Sequence, residues 1–554
     1  MTFVCSLWTA LTATAVERLS PKFEVRAVWL ATIGGIDWPH TYSRSAASAR
    51  KQQQELIQIL DRLQAAGINT VLLQTRVRAT TIYPSLHEPW DGCLSGIPGT
   101  SPQYDALQFA IDECHRRGME LHAWIVAVPI GKWNHPGATA LRKKQPRLLK
   151  RIGDSGYMNP ELPATADYIA KLCKEITENY DVDGIHLDYI RYPETWPKPK
   201  NKAQAVMRRA HITRIVRAVH LAVKSVKPWV KLSCSPIGKH DDLPRYSSNG
   251  WNAYGRVFQE AQRWMHEGLI DQLYPMMYFR DNQFFPFLFD WMENCQGRSV
   301  VSGIGAYMLS PQERDWPLCD VERQLYQTRE RGAGYAFFRS KFFTDDTKGL
   351  YRFVCEQFNT APALTPPMSW ESDIIPDAPK SVRLTRTDSA DCLTWDKTYA
   401  PYSGSYTSYN IYAAPVAPVD IQTAENLIAI KKRDNSICIL RKPGQPMLHY
   451  AVTAIDRFGN ESLAAQTSPG VPPAQPTHTA QATQLFRPDF KGERFLLIES
   501  LQGCLITTLP CHEGRADFAS LPDGTYTVRS LNRKGISHRL AHLDKKGKKL
   551  IWKK

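Results

Sequence analysis

Between residues 24 and about 355 the chain alternates two hydrophobic rhythms. Short apolar runs, several with side chains alternating in period two, are separated by longer stretches whose apolar residues recur every three or four positions. The first kind reads as strands: "EVRAVWLAT" (24–32), "INTVLLQTRV" (68–77), "ELHAWIVAV" (120–128), "DGIHLDYI" (183–190), "VKLSCSPIG" (230–238), "IDQLYPMMYF" (270–279), "SVVSGIGAYM" (299–308) and "GAGYAFFRS" (332–340). The second kind reads as helices. In "KQQQELIQILDRLQAAG", Leu56, Ile59, Leu60 and Leu63 share a face and Gly67 stops the helix. In "PATADYIAKLCKEITENY", Pro163 suits a first turn, and Ile169, Leu172, Cys173 and Ile176 form one stripe. Eight strands with helical crossovers in one segment predict an α/β fold, a (β/α)8 TIM barrel over residues 24–360. An open doubly wound sheet would call for a glycine-rich phosphate turn after the first strand, and none follows.

After the proline-rich "APALTPPMSWESDIIPDAP" the rhythm shortens. Alternating strands around Trp395, Tyr409 and Tyr450, with "YAVTAIDRFGNES", resemble a fibronectin type III module, an all-β sandwich, over 375–468. That module is expected to contribute no catalytic residue. A linker rich in Pro, Thr, Gln and Ala precedes a small C-terminal β domain over 484–554, where Asp523-Gly524 signals a hairpin turn. Its last residues, "KKGKKLIWKK", are expected to form a solvated basic tail. At the other end, residues 1–23 open with "MTFVCSLWTALTATAVE". This reads as the apolar part of an export signal ending at Ala13-Thr14-Ala15, without the usual basic stretch before it. The location expected is periplasmic, cell-envelope or secreted. No other apolar run is long enough to cross a bilayer, so the chain is expected to be peripheral to the envelope at most; a monomer is expected.

Composition narrows the chemistry. With 43% hydrophobic residues in 554 the chain can bury a large core, and global disorder is excluded. The net charge of +15 suits an acidic polymer, an anionic surface or nucleic acid. No nucleic-acid-binding motif accompanies it, so no nucleic-acid partner is expected. The 12 cysteines show no paired spacing and no Cys/His ligand pattern, which argues against a zinc site and a dense disulfide framework. Neither metal nor cofactor is expected.

A barrel of this kind builds its active site at the C-terminal ends of its strands. Those ends read "GGIDWP", "TRVRATTIYPS", "WIVAVPI", "LDYIRYP", "SPIGKH", "MMYFRDN" and "AYMLSPQE", so carboxylates, arginines and aromatics converge there. Acids between aromatic walls suit cleavage of a glycosidic bond: one carboxyl protonates the leaving oxygen and another attacks the sugar or activates water. Asp188 is the expected catalytic carboxylate, with Asp281 its first-choice partner, then Asp37 or Glu313. The expected sugar-binding residues are Trp29, Tyr83, Trp124, Tyr192 and Tyr278, with Arg76, Arg78, Arg191, His186 and Glu313. His186 lies on the same strand face as Asp188 but deeper, where a satisfied core histidine is the favoured reading beside the binding one. Arg76 and Arg78, two apart, would suit a carboxylate or acylamino substituent on the sugar.

The stretches "EVRAVWLATIGGIDWP", "QTRVRATTIYPS…PWDGCLSG", "DGIHLDYIRYP" and "YPMMYF" also resemble the bacterial glycosyl hydrolase-like 10 family over residues 24 to about 355. The resemblance implies a barrel glycosidase of the envelope acting on polysaccharide, peptidoglycan glycan strands being one substrate known within the family. Two positions depart from it. Relatives often read "DGIHxDDYFYP", where this chain has Tyr189 at the second acidic position, and Thr80 stands where many carry Asp. Ile190 occupies the proton-donor position of the chitinase-type signature, so chitinase-type chemistry is not implied. These departures keep open a carbohydrate-binding or scaffold protein on a degenerate barrel. A metal-dependent deacetylase is more distant, since no strand end offers a His-x-His ligand set.

Overall fold

A computed structural model describes residues 20–467, apart from Asn249, Pro401, Lys442, Pro443 and Gln445, and strands and short turns between 484 and 553. The stretch read as an export signal, up to residue 19, lies outside the described residues.

Eight parallel strands close a barrel: β1 (Arg26–Leu30), β2 (Thr70–Arg76), β3 (Glu120–Val126), β4 (Gly184–Asp188), β5 (Lys231–Cys234), β6 (Gln272–Leu273), β7 (Ser299–Ile304) and β8 (Gly334–Phe337). β1 pairs with β2 on one side and β8 on the other, with Arg26 opposite Tyr335. The helices form where the apolar stripes fall. Helix Ala46–Ala65 starts at Ser45, whose side chain caps Ser48 N, buries Leu56, Leu60 and Leu63, and ends before Gly67 at φ 71°. Helix Pro163–Asn179 buries Ile169, Leu172, Cys173 and Ile176. Strand six is far shorter than the predicted 270–279. Pro275 has no N–H to give, and beyond it pairing continues only through single bonds such as Met276 N to Pro236 O.

Two cores result. The larger packs helices against the outside of the barrel, and a smaller one fills its interior around Trp29, Trp124, Tyr274, Val301 and Ala336. Polar residues share that interior. His122 Nε2 meets Glu120 Oε2 at 3.2 Å, and Gly184 on β4 lies so close that an added methyl would come within 2.7 Å of the His122 ring.

After the barrel come a three-stranded sheet (Arg383–Arg386, Ala390–Thr394, Ser436–Leu440) and a four-stranded one (Ser408–Ala414, Leu427–Lys432, His449–Ile455, Ala465–Gln466). They share one core containing Leu393, Trp395, Tyr409, Ile411 and Tyr450. Cys392 and Cys438 face each other across the smaller sheet and form a disulfide. This pair of sheets docks on the N-terminal end of the barrel. Lys431 Nζ and Lys231 Nζ both reach Glu120 Oε1 at 2.7 Å, and Arg433 pairs with Asp181 at 2.5 Å. Asp183, at the entrance to β4, is held by His115 at 2.8 Å and by Arg457 at 3.3 Å. The last unit is a seven-stranded sheet, and it corrects the expectation of a solvated tail. Lys549–Lys553 pairs antiparallel with Ser537–Lys546, and Trp552 packs against the core of that sheet.

Candidate active site

Asp188 ends β4, pointing inward at the barrel mouth, where strand alternation puts it. Three donors orient its carboxylate. Trp124 Nε1 donates to Oδ2 at 3.1 Å; Ser235 Oγ at 3.0 Å and the Tyr189 N–H at 2.7 Å donate to Oδ1. Burial raises its pKa above the usual aspartate value, against the pull of Arg191 and these three donors. The next residue, Tyr189, takes a left-handed backbone (φ 49°) and is 38% exposed. Such a conformation in a bulky residue is strained and tends to mark functional positions. The Arg191 guanidinium lies 4.4 Å over the Tyr189 ring, and its Nη2 bonds Glu194 Oε1 at 2.6 Å. Its Nε and Nη1 are buried without a partner among the described residues. Tyr278 stacks on Phe338 at 5.4 Å and meets Tyr307 edge-on at 5.6 Å. Burial, then the neighbouring Tyr307 and Asp188, push the Tyr278 phenol well above the usual tyrosine value.

The floor is a layer below. Trp29 Nε1 donates to His186 Nε2 at 3.2 Å, and His186 Nδ1 meets Ser233 Oγ at 2.9 Å. His186 is fully buried with both ring nitrogens engaged, and burial, then His122, lowers its pKa well below the usual histidine value. It sits in the floor beneath the mouth, held as a satisfied core histidine would be.

Other expected residues are engaged within the fold. Arg76 is 1% exposed; it forms a two-pronged pair with Glu88 and also donates to the Val126 and Ala127 carbonyls, so it braces β2 against β3. Tyr83 bonds Glu175 on helix Pro163–Asn179, and Tyr192 bonds His211, each buried among helices. Asp37 accepts from Ala31 N, Lys341 N and Arg339, which ties the loop after β1 to the end of β8. Burial raises its pKa despite Arg339. Asp281 is exposed and turned to Arg323 on helix Leu318–Glu330, outside the barrel. Glu313 is exposed in a turn, close enough to Tyr307 to raise its pKa once burial has done so. Arg78 is exposed beside Gly131, and Trp29, Trp124, Arg191 and Tyr278 are the remaining expected residues grouped near Asp188. Among the described residues no three His, Cys, Asp or Glu side chains converge to hold a metal ion.

Ser235, Glu194, Tyr307 and Phe338 belong to the site but were not read from the sequence. Ser235 could have been, since it directly follows β5 at the level of Asp188. Glu194 lies just beyond the strand motif, where no periodicity points to it.

The fold is thus a (β/α)8 barrel with its candidate chemistry at the C-terminal mouth, where barrel enzymes in general keep their active sites. Residues 24–304 match the family model Glycosyl hydrolase-like 10, and the chain belongs to that family. It is 29% identical over 482 residues to glycosyl hydrolase YngK of Bacillus subtilis, covering 80% of this chain and 92% of that protein. It is 32% identical over 288 residues to glycosyl hydrolase DigH of Escherichia coli K12, covering 46% of this chain and 65% of the relative. Among solved structures it is similar to the PgaB (BpsB) glycoside hydrolase domain from Bordetella bronchiseptica, at 13% identity and a TM-score of 0.40 over 60% of this chain and 98% of that one. Family membership and the names of these relatives support a glycoside hydrolase-type function with a carbohydrate substrate.

Proposed function

We propose that the protein cleaves O-glycosidic bonds of a polysaccharide, a cell-wall glycan or another complex glycan, with Asp188 as the working carboxylate. The observation that carries this reading is the set of three donors around Asp188 at the barrel mouth. They stabilise its ionised form and fix its orientation, as a nucleophile or general base requires. The exposed ring of Tyr189 and the Tyr278–Phe338 stack offer faces for a pyranose. Glu194, which Arg191 links to the same cluster, takes the proton-donor role first expected of Asp281 once substrate draws Arg191 away from it, since the ion pair itself favours the carboxylate. The disulfide between Cys392 and Cys438, the apolar start of the chain and the fibronectin-like pattern of the two sheets support an exported protein.

A second reading, a carbohydrate-binding protein without catalysis, is favoured by Thr80, Tyr189 and Ile190 at positions where carboxylates were expected. Release of reducing ends from denuded peptidoglycan and from a panel of plant and host glycans separates the two. Asp188→Asn is expected to lower turnover by about a thousandfold or more, with glycan binding and melting temperature kept. A wild-type protein that binds glycan but cleaves none supports the second reading. A variant that melts early yet keeps its specific activity makes Asp188 a brace.

A further inference from the structure

Between β3 and helix Pro163–Asn179 the chain leaves the barrel at its mouth. Strands Pro129–Lys132, Leu149–Ile152 and Ser155–Met158 form a small sheet of their own, with helix Pro136–Lys144 between the first two. This excursion adjoins the candidate site. Met158 N bonds Val128 O at 2.8 Å, and Tyr157 OH lies 3.3 Å from Thr195 Oγ1, one residue after Glu194. Gly131 packs so closely on Arg78 that an added methyl would be 3.3 Å from its side chain, and the charge of Arg78 is felt by Tyr189.

Residues 129–158 hold seven lysines and arginines against one acid, Asp154. Lys132, Lys143, Lys144, Arg147 and Arg151 are exposed. The one carboxylate these cations meet among the described residues is Asp154, 3.6 Å from Lys132. Lys144 and Arg151 lean instead on the His87 and Gly153 carbonyls. Aromatic rings lie between the charges: Trp133 carries Arg142 at 4.7 Å and Trp196 carries Lys150 at 4.3 Å. The positive potential of this wall is therefore largely uncompensated, and a polymer leaving the mouth past Thr195 would run along it. At the mouth itself, the unpartnered Nε and Nη1 of buried Arg191 add donors of the kind that fork onto a carboxylate.

We propose that residues 129–158 form an extended binding wall for an acidic glycan, a strand whose sugars carry carboxylates. This rests on the glycosidase reading for the position of the cleft, and adds to it the charge class of the polymer and the side on which it lies. Exposed cations around the partly open ring of Trp133, in line with a sugar cleft, fit a charged glycan, whose sugars can pair and stack along the same path.

The test measures binding by the full chain carrying Asp188→Asn, with a polyuronate and with the same polymer after its carboxyl groups are reduced to alcohols. The native polymer is expected to bind about tenfold or more tighter than its reduced form, a preference that shrinks as salt rises from about 50 to about 300 mM. Adding Lys143→Gln, Arg147→Gln and Arg151→Gln should remove most of that preference with the melting temperature unchanged. Equal binding of the two polymers overturns the proposal, as does a triple variant that keeps the preference. So does tighter binding to anionic lipid vesicles or duplex DNA than to the polyuronate, which would assign the wall to another partner. Failure of the glycosidase reading shows separately, as a wild-type protein that prefers the acidic polymer but cleaves no glycan.

Discussion

Arg191 bonds Glu194 and its charge is felt by Asp188, and that link separates the candidates for the second acid. Glu194→Gln is expected to lower kcat/KM by about 100-fold to 10,000-fold and to remove the alkaline limb of its pH profile, because the amide has no proton to give. Stability should hardly change, since Glu194 is exposed. Asp281→Asn should stay within about threefold of wild type, as its carboxylate faces Arg323 on an outer helix. The reverse order of effects would reduce Glu194 to a counter-ion for Arg191. Residues of this kind are only partly legible in a sequence. Alternation along β4 placed Asp188 at the mouth, but it could not tell that Arg76 had found a buried partner in Glu88 twelve residues on. Nor could it show that Asp37 would be occupied by Arg339 at the far end of the barrel segment. Those pairings are made by the closed fold, not by spacing.

At the level of elements, β4 tolerates its inward histidine neighbour only because Gly184 has no side chain. Gly184→Ala would press a methyl against the His122 ring, which is fully buried and held by Glu120. A loss of about 1–3 kcal/mol is expected in denaturant unfolding, as for other overpacked cores. An alanine variant as stable as wild type would mean that His122 can step aside. The long helices were legible because a dozen or more residues display the helical period clearly. The inserted sheet was not, because strands of four residues have too few positions for period two to register. Strand six was over-read for a different reason: its apolar run continues past a proline that ends regular pairing.

For the whole molecule, the joint between the barrel and the pair of sheets makes stability depend on pH. Burial alone would raise the pKa of Glu120, but Lys231 and Lys431 hold it well below the usual glutamate value. Burial would likewise raise Asp183, and His115 and Arg457 overcome it. Carboxyls depressed in the folded state stabilise it above their unfolded pKa of about 4, and that contribution is lost as pH falls toward the folded values. Melting temperature should therefore drop progressively below about pH 4. Lys431→Met should destabilise by about 2 kcal/mol at neutral pH and flatten the acid limb. A flat profile in wild type would mean that the joint is not held by these charges.

The same joint sets a limit on dividing the protein. Glu120 stands inside the barrel beside His122, which after burial helps lower the pKa of His186, on which Trp29 and the floor of the candidate site rest. Its countercharge comes partly from Lys431, hundreds of residues later in the chain. A barrel cut loose after its last helix would keep every residue at the mouth yet lose one of the two lysines that neutralise the acid at its base. The two regions are distinct in architecture but share a single electrostatic axis, so neither should be taken as an independent part.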